Sequence, residues 1–85
     1  MIRPVRWTKQ ARKELLRLDV PTRRRILDTI DNLATESRGD VVRLHGISEA
    51  IFRLRVGGWR IFFCYEQEIR ILVLRIRPRG DAYKA

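Results

Sequence analysis

The stretch "IFRLRVGGWRIFF", residues 51–63, constrains the fold more than any other part of this 85-residue chain. Two runs of β-branched and aromatic residues flank Gly57-Gly58, and glycine accepts the positive φ that a two-residue primed hairpin turn requires. A two-residue loop leaves one register. Val56 pairs with Trp59, Leu54 with Ile61 and Phe52 with Phe63, so one face is wholly apolar. The opposite face carries Arg55 against Arg60, Arg53 against Phe62 and Ile51 against Cys64. Like charges directly opposite each other cost roughly 0.2–1 kcal/mol per pair. Any polar residue would serve a merely solvated face, so the arginines imply an anion supplied from outside.

A tight loop at Gln67-Glu68 extends the sheet into "EIRILVLRIRP". Trp59 is then expected opposite Ile76, Ile61 opposite Leu74 and Phe63 opposite Leu72, keeping the core face apolar. On the other face Arg60 meets Arg75, Phe62 meets Val73, and Arg77 follows Arg75. A one-residue slip would move Arg75 and Arg77 into the core, so the apolar pattern favours this register. The expected outer face therefore holds Arg53, Arg55, Arg60, Arg75 and Arg77, with no acidic residue among them. A solvated face normally mixes signs. Phe62 between the arginines fits either packing beneath their stems or a platform on which an RNA base stacks.

Upstream, "IRPVRW" at 2–7 suggests a short strand, and Pro4 assigns it to an edge or a bend. Thr8 is placed to cap a helix over 9–18 with Ala11, Leu15, Leu16 and Leu18 as its stripe. "DVP" breaks the chain. A second helix over 21–36 carries Ile26, Leu27, Ile30, Leu33 and Ala34 at amphipathic spacing, and "SRGD" ends it. Arg23, Arg24 and Arg25 at its start fit a solvated face, or a contact with a partner or an RNA backbone. "VVRL" adds a further strand. The expected fold is α+β: a short N-terminal strand, a helical hairpin, then an antiparallel β-sheet with the helices packed on one face.

The length allows one small domain over residues 1–85. Its hydrophobic fraction, 45%, suits a folded chain rather than a disordered arm. No apolar run approaches the roughly 18–20 residues that span a bilayer, and "MIRPVRW" lacks a signal-peptide core, so a cytoplasmic protein without a membrane partner is expected. Lone Cys64 excludes an internal disulfide and a cysteine zinc site. Nineteen Lys+Arg against ten Asp+Glu give a formal charge of +9. Such a charge attracts phosphate backbones, anionic surfaces or an acidic protein. His45 is the only histidine and reads as a structural or surface residue. No carboxylate cluster suggests a metal, and no cofactor is expected.

The order of elements, with "FRLRVGGWRIFF" and the closing "RPRGDAY", resembles the RelE branch of the RelE/ParE superfamily of bacterial toxins. The resemblance runs from "RWTKQARKELLRLD" to the C-terminus. It implies a ribosome-dependent endoribonuclease that cuts messenger RNA in the decoding (A) site, inhibits translation and is held inactive by a cognate acidic antitoxin. By position, the family's basic residues fall on Arg53, Arg55, Arg60 and Arg79, and its terminal tyrosine on Tyr83; Arg75 and Arg77 rest on register alone. Pro78 and Ala82 stand where the common ending has histidine and valine, and some members have lysines at Arg53 and Arg55. An arginine holds phosphate charge but is a poor proton shuttle.

RNA carries its own nucleophile, so metal-free attack by the ribose 2′-OH needs only positioning and charge stabilisation. Arg60 and Arg79 are expected on the phosphate, with Arg53 and Arg55 in support. Tyr83 is expected either as general base, its phenolate favoured by nearby arginines, or as an aromatic packed on the sheet. A ParE-like toxin that inhibits gyrase, and a non-catalytic module that binds ribosomal RNA, stay open as alternatives.

Overall fold

The computed structural model describes residues 2–84. In chain order the elements are β1 (Val5–Trp7), α1 (Lys9–Leu16), α2 (Val20–Glu36), β2 (Asp40–Arg43), β3 (Phe52–Val56), β4 (Trp59–Glu66) and β5 (Arg70–Pro78). The five strands form one sheet in the order β1-β5-β4-β3-β2. Ala11 and Leu15 of α1 and Ile26, Ile30, Leu33 and Ala34 of α2 pack with Leu54, Val56, Ile61, Phe63, Ile71, Val73 and Ile76. This is the expected α+β architecture. Strands β2 to β5 are antiparallel, whereas β1 joins β5 in parallel, so the sheet is mixed.

β1 occupies an edge, as Pro4 implied. The Pro4 carbonyl, which needs no N–H of its own, accepts from the Ile71 amide at 2.9 Å. Thr8 caps α1 as expected, its hydroxyl accepting from the Ala11 amide at 3.0 Å. The same hydroxyl donates to the Leu74 carbonyl at 2.9 Å, fastening the helix start to β5. α1 closes at Leu16, two residues early; Leu15 takes the core position, and Leu16 beside it is 61% exposed rather than in the stripe. Leu27 is 41% exposed too; Ile26 takes the core position beside it, and successive helical residues diverge by about 100°.

The β3–β4 register is the one that the Gly57-Gly58 turn dictates, from Val56↔Trp59 to Phe52↔Phe63. The β4–β5 register is not. The loop holds three residues, with Gln67 and Glu68 at positive φ and the Ile69 amide donating to the Glu66 carbonyl, so Glu66 faces Arg70. That odd loop inverts the faces near the turn. Val73 and Ile71 therefore enter the core, not Leu72 and Leu74, and Phe63 faces Val73. A β-bulge between Phe62 and Phe63 then adds a second one-residue shift. Two shifts restore the original faces, so Arg75 and Arg77 stay on the outer side. Their partners change, however: Arg60 faces Arg77, Phe62 faces Arg75 and Trp59 faces Pro78.

Candidate nucleic-acid interface

The outer face begins with the Arg55–Arg60 pair beside the hairpin turn. The Arg60 Nη1 donates to the carbonyls of Gly57 and Trp59, both at 3.0 Å, which holds its guanidinium against the turn. β5 runs out alongside this turn, and the Arg79 amide donates to the Gly58 carbonyl at 2.8 Å. That bond brings Arg79 to Arg60. Desolvation, then the charges of Arg53, Arg55 and Arg79, hold Arg60 below the usual guanidinium value, against a smaller opposing effect of Asp40. Mutual repulsion is therefore concentrated on this side chain, which still carries its charge at neutral pH.

Beyond Arg79 the chain turns at Gly80, whose φ of +92° suits glycine. The tail folds back over the sheet, and the Tyr83 ring lies 5.3 Å from that of Phe62. Phe62 is 2% exposed. It is the packed floor beneath Tyr83 and not a platform for a base. A groove of about 370 Å³ runs between tail and sheet, lined by His45, Arg53, Arg60, Phe62, Asp81 and Tyr83 among others. On the other side of Arg60 lies a second depression, of about 460 Å³, lined by Arg25, Asp40, Arg55, Gly57, Arg60 and Arg79.

The expectation of a face without acids is corrected in three places. Asp40, opposite Arg55 across the β2–β3 pair, binds its Nε at 2.7 Å. Arg77 donates from Nε to Asp81 at 3.1 Å. Glu14, 6% exposed, takes Arg75 through Nε at 3.2 Å and Nη2 at 2.9 Å, and Arg77 at 3.4 Å. β1 covers the edge of β5 only as far as Val73. Past that point Glu14 takes the place of a strand partner, accepting from the Ile76 amide at 2.9 Å. Burial raises the Glu14 pKa, yet hydrogen bonds from Arg75 and Ile76 and the Arg75 charge outweigh it and leave the carboxyl ionised below its ordinary value. Arg75 also donates to the Lys84 carbonyl at 2.9 Å, so it holds the tail. Arg75 and Arg77 thus have structural partners and help to hold the tail. Among the described residues no ion pair is formed by Arg25, Arg53, Arg60 or Arg79.

Tyr83 is half-buried, and burial pushes its phenol up, helped by Cys64 and Glu49 and opposed by Arg75. The phenolate is disfavoured, contrary to the expectation from charge alone, because burial outweighs the charge of Arg75. Three further residues of the site escaped the sequence reading as parts of it. Arg25 reaches the hairpin turn from α2, and its place in the "RRR" triplet was the only signal. Exposed His45 forms part of the groove wall. Glu14 fell on the polar side of a short helix, and nothing in its neighbourhood in the chain marked it.

Residues 5–83 match the family described as ParE toxin of the type II toxin-antitoxin system parDE. Among solved structures, the archaeal RelE–RelB complex from Pyrococcus horikoshii OT3 is similar at a TM-score of 0.78 and 31% identity, over 96% of this chain and 100% of that one. The RelBE2 toxin–antitoxin complex of Mycobacterium tuberculosis gives 0.72 at 22% identity, over 93% and 100%. A mutant of E. coli toxin RelE in the free state gives 0.69 at 16% identity, over 95% and 86%, a likeness of fold. No curated protein sequence matches the chain. The chain belongs to the RelE/ParE superfamily: it is a toxin of a type II toxin–antitoxin system.

Proposed function

We propose that this toxin is a ribosome-dependent mRNA endoribonuclease that works without metal. The observation that carries the reading is the groove in which Arg53 and Arg60, without carboxylate partners among the described residues, meet Tyr83. The 2′-oxygen gives up its proton and attacks the adjacent phosphorus, a P–O2′ bond forms, and the P–O5′ bond breaks. Arg60 and Arg79 take the charge that builds on the phosphoryl oxygens, with Arg53 and Arg55 in support. His45 in the groove wall accepts the 2′-OH proton, the general-base role open to an imidazole there. Tyr83, kept as a neutral phenol by burial, supplies a proton to the leaving 5′-oxygen. The products are a 2′,3′-cyclic phosphate and a 5′-OH.

The substrate is mRNA in the ribosomal A site, the location is the cytoplasm, and a cognate acidic antitoxin covers the basic face. Support for the antitoxin comes from two of the similar structures, which are themselves toxin–antitoxin complexes. A gyrase-directed reading is favoured by the parDE description of the matching family, yet it gives no task to the Arg–Tyr83 groove. Purified toxin is added to translating ribosomes, and in parallel to gyrase with relaxed plasmid. Cleaved mRNA with intact supercoiling supports the endoribonuclease. Blocked supercoiling with intact mRNA establishes the gyrase reading, and ribosome binding without cleavage establishes a non-catalytic module.

A further inference from the structure

The second depression, across Arg60 from the groove, has a feature that the arginines of the sheet do not explain. Arg25 comes from α2, and its guanidinium lies against Gly57. A Cβ added at Gly57 would sit 2.7 Å from the Arg25 Nη1 and 3.1 Å from its Cζ. Gly57 therefore serves twice: its φ of +57° makes the turn, and its missing side chain admits Arg25. Four guanidinium groups, of Arg25, Arg55, Arg60 and Arg79, then surround one hollow with a single carboxylate, Asp40. Arg55 already engages that carboxylate at 2.7 Å. Three positive charges are left without compensation, on α2, on β4 and just past the end of β5, which converge at one turn.

We propose that this hollow is a second phosphate subsite, which holds the phosphodiester next to the scissile one on the same single-stranded RNA. Arg25 is its characteristic residue. The proposal rests on the ribonucleolytic reading of the groove. Arg60 lines both hollows and forms the ridge between them. A strand laid across it places one phosphate on each side, with the 2′-OH that reacts on the groove side, beside His45 and Tyr83. The second hollow lacks a side chain suited to proton transfer, so the phosphodiester it holds is bound and aligned rather than cleaved. Guanidinium groups suit this task because their fork matches two phosphate oxygens.

The test uses Arg25→Gln and Arg25→Lys. Binding of a 2′-O-methyl RNA oligonucleotide, which cannot be cleaved, is measured by fluorescence anisotropy from 50 to 300 mM salt. Each phosphate neutralised on a single strand contributes about 0.7 to the slope of log K against log salt. Arg25→Gln should reduce that slope by about 0.7 and weaken binding about 3- to 10-fold at 100 mM salt. Arg25→Lys should keep the slope. A 2′-O-methyl dinucleotide has one phosphate and should not distinguish Arg25→Gln from the parent, whereas a trinucleotide with two phosphates should. An unchanged slope overturns the subsite, as does an equal loss with the dinucleotide, or failure of the parent protein to bind either RNA. Arg25→Gln that weakens only the antitoxin complex overturns it in favour of a protein carboxylate as the occupant. If the slopes change as expected but mRNA on translating ribosomes stays whole, the subsite stands and the nuclease reading falls.

Discussion

Replacing Glu14 with alanine should come close to unfolding the protein, although Glu14 lies on a helix outside the reaction groove. Its carboxylate is 6% exposed, and the Arg75 side chain beside it 18%. Removing one partner of a buried ion pair costs about 3–5 kcal/mol, because the remaining charge stays buried without compensation. The residual exposure of Arg75 favours the lower end. The Ile76 amide also loses its acceptor, and an orphaned buried donor costs about 1–3 kcal/mol. These costs overlap, so about 4 kcal/mol is expected for Glu14→Ala. In a domain of this size each kcal/mol shifts Tm by about 4–8 °C, which gives a fall of about 15–30 °C. Glu14→Gln keeps an acceptor for the amide but loses the charge, for about 2–3 kcal/mol. Urea unfolding followed by circular dichroism measures both. The Glu14 carboxyl has a lowered pKa in the fold. Its contribution is therefore complete above the ordinary carboxylate value and is lost as pH falls through the folded value. The gap between parent and Glu14→Gln should stay constant from pH 6 to 8 and close in acid. A loss below about 1 kcal/mol for Glu14→Ala, against the range expected for a buried pair, would refute the reasoning; so would strict additivity with Arg75→Met.

Tyr83→Phe keeps the ring over Phe62, so Tm should hold while cleavage on ribosomes falls about 10²–10⁴-fold, the usual contribution of a proton-transfer group; unchanged cleavage removes Tyr83 from that role. Arg79→Gln takes a charge away from Arg60, so it should raise Tm slightly in low salt, by an amount that vanishes in about 1 M salt, and should slow cleavage. Phe62→Ala should cost about 3–5 kcal/mol as a large buried side chain is lost, and limited proteolysis should then cut the tail sooner because Tyr83 has lost its seat. Cys64, whose thiol is pushed up by burial and by Glu66, should react with iodoacetamide more slowly at pH 8 than a free cysteine does.

The β3–β4 hairpin was legible because Gly57-Gly58 allows only a two-residue loop, and the period of two then assigns every side chain to a face. The β4–β5 pair was misread at two points that cancel. Gln67 and Glu68 adopt positive φ without being glycine, and nothing in "IFFCY" announces the bulge at Phe62. The outer arginines were placed correctly for that reason, while Val73 was assigned to the wrong side. Arg53, Arg55, Arg60 and Arg79 were singled out by strand position and resemblance, and the fold gathers three of them around the hollow beside the turn.

The amino-acid order by itself determined the element sequence, the helix-facing apolar surface and the concentration of arginine around one turn, because these follow from local spacing and turn chemistry. Which arginines are free to receive an anion was decided only in three dimensions. Glu14 meets Arg75 across 61 positions of the chain, where β1 ends and leaves an edge open. Arg25 comes from α2 to lie against Gly57 at the turn, where a bare backbone leaves room for its guanidinium. The Tyr83 proton is held by burial against Phe62, under a tail tied down by Arg75. Charge pairing and desolvation depend on distances between elements far apart in the chain, and local patterns do not encode those distances.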